Sequence, residues 1–176
     1  MPIIILLLTF LSAPLLASDL PEGWRLPTEK ELIAVPAGAD SLSKHAQIDS
    51  DFNDDGKLDR AYLLKSINYP GEGLVVSVST PQGSEWLVLD RVEWGAEYAG
   101  AGLKMRIKLA QPGNYTTACA LGYWQCGPGE PAVLVLKRAA IYQDRFDGAV
   151  AIWFWQKETQ QFKKIWLGNA GDLSRN

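Results

Sequence analysis

Hydrophobic and polar positions change rhythm twice along this chain. Residues 2–17, PIIILLLTFLSAPLLA, carry no charge and are almost entirely apolar. The stretch Ile3–Leu11 matches the hydrophobic segment of a secretory leader and is too short to span a bilayer. Ser12, Ala13 and Pro14 interrupt it, and the small residue Ala17 precedes Ser18 and Asp19. A leader over residues 1–17 is expected, cut after Ala17 or, alternatively, after Ser18; an apolar strand or helix of the fold is the competing reading. No Lys or Arg precedes Arg25, so the amino terminus alone supplies the leader's positive charge. No later run approaches the roughly 20 apolar residues of a membrane helix.

After an irregular lead-in, Leu20–Pro27, the run Thr28-Glu29-Lys30-Glu31 has the form of a capping box, in which the first side chain and the fourth satisfy each other's backbone amides. A short helix is expected from there to about Ala34, ending before Pro36, with a small polar loop at Ala37–Ser43. From residue 45 onward the period falls to two, the signature of half-buried strands. Strands are predicted at His45–Ile48, Arg60–Ser66, Gly73–Ser79, Trp86–Val92, Leu103–Leu109, Ala132–Leu136, Ala149–Trp155 and Phe162–Trp166. Tyr69-Pro70-Gly71, Pro81-Gln82-Gly83, Pro112-Gly113-Asn114 and Gly127-Pro128-Gly129 act as breakers between them. Gln156–Gln161 should close the last two into a hairpin. The fold class is therefore mainly β with a short N-terminal helix, one domain over residues 18–176, built as an antiparallel sandwich or a strongly curled sheet.

Composition narrows the partners. Seventeen basic against 20 acidic side chains leave a net charge of −3, too weak and too mixed for a nucleic-acid or anionic-membrane surface. A hydrophobic content of 47% with seven Trp is ample for a real core. The two cysteines, Cys119 and Cys126, stand in CALGYWQC. In an oxidising compartment a pair this close forms a local disulfide, which would fix the turn carrying Gly122, Tyr123 and Trp124. A zinc site would need further Cys or His ligands, and the spacing is not that of a redox CxxC pair.

One segment carries metal chemistry. Within QIDSDFNDDGKLDRAYLL, Gln47–Leu64, oxygen-bearing side chains fall at Asp51, Asn53, Asp55 and Asp59, loop positions 1, 3, 5 and 9, with Gly56 at position 6. Calcium takes six to eight oxygen ligands, and alternate residues of a tight loop can aim their side chains inward together. Gly56 permits the sharp reversal, and the backbone carbonyl of Lys57 would serve at position 7. An EF-hand is excluded, because Tyr62 stands where that loop needs Glu and strands, not helices, flank it. The alternative is an Asx-rich surface turn with no metal, since Asp, Asn and Gly are ordinary turn residues. Four ligands in register with the glycine favour calcium.

On Asp51, Asn53, Asp55, Gly56 and Asp59, followed by the apolar strand Ala61–Leu64, the segment resembles the calcium loops of FG-GAP and VCBS repeats. The resemblance implies Asp51, Asn53, Asp55 and Asp59 as ligands of Ca²⁺. Those repeats come in series around a propeller, whereas this chain holds one copy, so a propeller is not implied. The wider layout (leader, one such loop, Cys-bridged aromatic turn, late WFW hairpin) resembles small bacterial periplasmic proteins.

No catalytic constellation is visible. His45 is the only histidine and has no nucleophile to partner it. Glu93 and Glu97 could be imagined as a glycosidase pair, as could many pairs in a chain with 20 acids. On the strand Ala149–Trp155, Trp153 and Trp155 share one face and Ile152 and Phe154 the other; core packing is the default for this stripe, with Trp166 able to stack across the hairpin. Tyr98, Tyr123 and Trp124 differ, each lying in a glycine-flanked segment, and are the candidates for contacting a protein partner. The sequence thus points to a periplasmic or secreted, calcium-binding, non-enzymatic domain with an interaction role. An exported inhibitor or immunity-type protein against a cell-wall hydrolase or toxin is the alternative, and an unrecognised hydrolase a third.

Overall fold

The computed structural model describes residues 20–33 and 46–173. The predicted leader, Ala34, the loop Ala37–Ser43 and His45 lie outside them. Eleven strands and two short helices follow in chain order among the described residues: β1 (Trp24–Arg25), α1 (Glu29–Ile33), β2 (Gln47–Ser50), β3 (Asp59–Ser66), β4 (Gly71–Thr80), β5 (Gly83–Glu93), β6 (Met105–Ala110), β7 (Gly113–Thr116), β8 (Val133–Leu136), β9 (Ala140–Arg145), β10 (Ala149–Gln156), β11 (Gln161–Asn169) and α2 (Ala170–Leu173). A 3-10 turn, Ala96–Tyr98, sits between β5 and β6.

All pairings are antiparallel. One sheet runs β1-β3-β4-β5, with β2 sharing the outer edge of β3 beside β1; the other runs β11-β10-β9-β6. A separate ribbon joins β7 to β8. The predicted β-rich domain is thus found, and its layers follow from which faces are apolar. Leu63, Leu74 and Val76 of the first sheet pack with Met105, Ile107, Ile141 and Trp153 of the second to form the central core. The far face of the second sheet, with Val150, Ile152 and Ile165, is covered by Leu134 and Leu136 of the ribbon. The far face of the first sheet holds Tyr62, Leu64 and Val75 under Trp24. Strands covered on both faces read as continuous apolar runs, which is why AYLL of β3 and AIWF of β10 do not alternate.

Close approach fixes one glycine. A Cβ at Gly73 would collide with the indole of Trp24 and crowd the carbonyl of Asp90, so only glycine lets Trp24 lie across β4. The faces of β10 fall as expected, with Trp153 and Trp155 toward the central core and Ile152 and Phe154 away from it. Trp166 does not stack on either tryptophan. The ammonium of Lys164 takes the space, 4.9 Å from the Trp153 ring and 3.9 Å from the Trp166 ring, while Trp155 meets Phe162 edge-on at 5.3 Å.

Candidate functional site

The loop joining β2 to β3 is organised by its own acidic side chains. Both carboxylate oxygens of Asp51 accept loop amides: Oδ1 from Asp54 at 2.7 Å and from Asp55 at 3.2 Å, Oδ2 from Gly56 at 2.8 Å. The same Asp55 amide also donates to Asn53 Oδ1 at 3.1 Å, so Asp51 and Asn53 share one proton. Asp54 and Gly56 adopt φ of +67° and +82°, the left-handed region that folds the chain back on itself. Phe52 anchors the turn, fully buried and edge-on to Phe162 at 6.2 Å.

Asp59, the first residue of β3, is 0% exposed. Its Oδ2 accepts the amides of Phe52 at 2.8 Å and Asn53 at 3.2 Å, and its Oδ1 accepts the amide of Ser79 at 2.8 Å. Ser79, near the end of β4, is a residue the sequence reading missed. Its hydroxyl oxygen lies 3.0 Å from both carboxylate oxygens of Asp55 and 2.9 Å from Oδ1 of Asp59. No spacing signal within the loop announces it; only the β3–β4 register, which sets Arg60 opposite Ser77, brings it there. Asn53 Nδ2 ties the loop to the same place, donating to the Ser79 carbonyl at 2.9 Å.

The predicted ligands are therefore brought together in two pairs, Asp51 with Asn53 at the Asp55 amide and Asp55 with Asp59 at the Ser79 hydroxyl. Lys57 lies exposed, its amide donating to Asp55 Oδ1 at 2.9 Å. As they stand, among the described residues, no three Asp, Glu, His or Cys side chains form a group that could hold a metal ion. Nor, among those residues, does any Lys or Arg nitrogen reach ion-pair distance of Asp51, Asp55 or Asp59. The nearby cations go to Asp54 instead, Arg138 at 3.2 Å and Lys157 at 3.9 Å. Desolvation pushes the Asp55 carboxyl up, yet the Lys57 amide, the Ser79 hydroxyl and Asn53 together pull it below the ordinary aspartate value.

The aromatic candidates occupy two other places. Cys119 and Cys126 are disulfide-bonded, closing the turn that carries Tyr123 and Trp124. These rings lie edge-on at 6.2 Å and remain 40% and 42% exposed. Each is nonetheless held: the Tyr123 hydroxyl bonds Asp172 and accepts the Asn169 amide at 3.1 Å, and Trp124 Nε1 donates to Glu130 at 2.9 Å. Tyr98, half-buried in the 3-10 turn, lies under the Lys104 ammonium at 4.2 Å. Glu93 and Glu97 are both exposed to solvent.

Comparison with protein-family models, curated proteins and solved structures found no match for the chain.

Proposed function

We propose that this chain is an exported, non-enzymatic domain braced by one calcium ion in the loop Asp51–Asp59, with a protein-interaction role served by the aromatic turn. The observation that carries the reading is the crowding at Ser79. One hydroxyl proton faces three carboxylate oxygens from two acidic groups, and no lysine or arginine nitrogen among the described residues comes within ion-pair distance of them, Lys57 acting on Asp55 only from further off. Like charges held this close repel unless a cation or a proton stands between them. The donor set is all oxygen, as a hard cation requires: carboxylates of Asp51, Asp55 and Asp59, the amide oxygen of Asn53 and the carbonyl of Lys57. When bound, Ca²⁺ would supply positive charge and rigid coordination, tying the loop to both β3 and β4. The resemblance to FG-GAP and VCBS loops supports the same ligands.

Extracytoplasmic calcium is plentiful, so an affinity of roughly 10⁻⁵–10⁻³ M keeps such a site filled, and a permanently filled site acts as a brace. Rigid, half-exposed aromatics such as Tyr123 and Trp124 are the usual anchors of a protein contact. Thermal unfolding of the purified chain in EGTA, then with added Ca²⁺ or Mg²⁺, tests the metal. Melting should fall by several degrees in EGTA and recover with calcium but hardly with magnesium, which keeps its waters and wants a smaller octahedral cage. The variant Asp55→Ala should not respond to calcium at all. Superimposable melting curves in EGTA and in millimolar calcium would remove the ion from the account.

A further inference from the structure

The edge strands of the two sheets, β5 and β11, face each other at the mouth of the sandwich. At one point they are clamped. Lys164 Nζ reaches Asp90 Oδ2 at 3.1 Å, and the buried Gln143 bonds the same oxygen at 2.9 Å while accepting from Trp153 Nε1 at 2.8 Å. Beside this clamp both sheets line a cleft of about 770 Å³. Its apolar wall is Leu87 and Leu89 from β5 with Trp153, Trp155 and Phe162 from the β10–β11 hairpin. All but Trp153 are only partly buried, so core residues are left facing water in one concavity. Clefts of this size that combine aromatic walls with a few polar groups are where proteins bind small molecules.

The rim states the chemistry of the occupant. Side-chain amides come from Asn53, Gln82, Gln160 and Gln161. Among the described residues, no protein group hydrogen-bonds the side chains of Gln82, Gln160 or Gln161. Carboxamides both donate and accept, which suits hydroxyl groups, themselves donors and acceptors. Glu85 and Lys157 balance each other on the rim outside the acidic loop, so no excess of positive charge is there to hold phosphates, uronates or nucleic acid. An extended peptide adding to β5 would need a free run along that edge, and the Asp90–Lys164 bridge to β11 closes the run beyond Leu89.

We infer that the cleft between β5 and the β10–β11 hairpin binds a short neutral oligosaccharide, stacking the C–H face of a sugar ring on Trp155 and Phe162 while the rim amides take its hydroxyls. The inference goes beyond the calcium reading and stands on the cleft alone, so the melting response and sugar binding can fail separately.

Cellotetraose, N-acetylchitotetraose, xylotetraose and maltotetraose are the probes, titrated against tryptophan emission and by calorimetry in calcium-containing buffer. A trigalacturonate and an alternating Val-Thr decapeptide are the comparators. At least one neutral tetrasaccharide should bind, and Trp155→Ala should weaken it about tenfold or more, the usual loss for an aromatic anchor. Because Trp155 also packs on the core, the surface double variant Gln160→Ala/Gln161→Ala serves beside it. That variant should weaken binding with an unchanged melting temperature, while Trp124→Ala should leave binding intact. Four flat titrations up to about 10 mM sugar, affinity untouched by both cleft variants, or preference for the peptide or the uronate would each overturn the assignment.

Discussion

Glu31 concentrates two roles in one carboxylate. It closes the capping box at α1, accepting the Thr28 amide at 2.7 Å while its own amide donates to the Thr28 hydroxyl at 3.3 Å. Arg25 then grips both oxygens, each at 2.7 Å, tying β1 to the helix start. The Arg25 hydrogen bonds hold the Glu31 carboxyl down at about 2; burial opposes them, and the Thr28 amide and hydroxyl add to the lowering. A carboxyl of this kind titrates near 4.3 in the unfolded chain, so its stabilising effect is complete above that value and fades as pH falls toward 2. Because the Arg25 side chain is 41% exposed, solvent screening discounts the contribution to about 1–2 kcal/mol. Buried Glu72 works with the opposite sign: desolvation raises its carboxyl, outweighing the Lys104 amide and Lys65, so acid favours its folded form. The difference between the wild type and Glu31→Gln isolates Glu31. The variant should be less stable by that amount at pH 6, and the gap should have shrunk by more than half by about pH 2.5 in urea titrations. A gap that stays constant down to pH 2.5 would show that Glu31 acts by shape and not by charge.

At the scale of elements, strands with an apolar run or an alternating rhythm were legible in the sequence, and strands whose pattern polar residues or glycine interrupt were not. All eight predicted strands recur with shifted ends, and the capping box was readable because its residues are local. β9 escaped because Gln143, fully buried to satisfy Trp153, and the ion-paired Asp144 and Arg145 break its apolar pattern. β7 escaped because it begins at Gly113, read as a breaker; its φ of +157° is one that glycine takes readily at the start of a ribbon strand. The clustering of acidic side chains in the β2–β3 loop was legible from spacing, whereas Ser79 comes from a neighbouring strand that only register reveals. Across β3 and β4 the same register sets Lys65 opposite Glu72, both nearly enclosed, with Lys65 Nζ 3.6 Å from Oε2. Lys65 also donates to the Ala101 carbonyl at 3.3 Å, and Glu72 Oε1 accepts the Lys104 amide at 2.8 Å, so the pair holds the irregular segment that leads into β6. Glu72→Gln strands the Lys65 ammonium but also escapes the burial penalty on the carboxylate, so it should cost about 1–3 kcal/mol. Adding Lys65→Met to that variant should recover most of the loss, because the stranded charge is gone. A double variant no more stable than Glu72→Gln would mean that the two charges do not speak to each other.

At the scale of the whole molecule, the second sheet is braced from both faces near one place on β11. Phe162 packs against Phe52 at the root of the acidic loop, and its neighbour Lys163 donates to the Gly129 carbonyl at 2.7 Å in the loop that follows the disulfide turn. Adjacent residues of a strand point to opposite faces, so the two supports lie on opposite sides of one sheet. They share no hydrogen-bond partner: the acidic loop is tied to Ser79, and the Cys119 region to Pro131 and Ala132 through the Thr117 hydroxyl. Independent supports add in free energy, whereas coupled ones do not. A disulfide closing so short a loop contributes about 2–3 kcal/mol at best, worth roughly 5–10 °C in a domain of this size. Cys119→Ser/Cys126→Ser should therefore lower the melting temperature by that much and leave the calcium-dependent increment unchanged. If the chain without its disulfide gains less than half the wild-type increment from calcium, the two braces act through the shared strand, and β11 is a coupling element and not a passive wall.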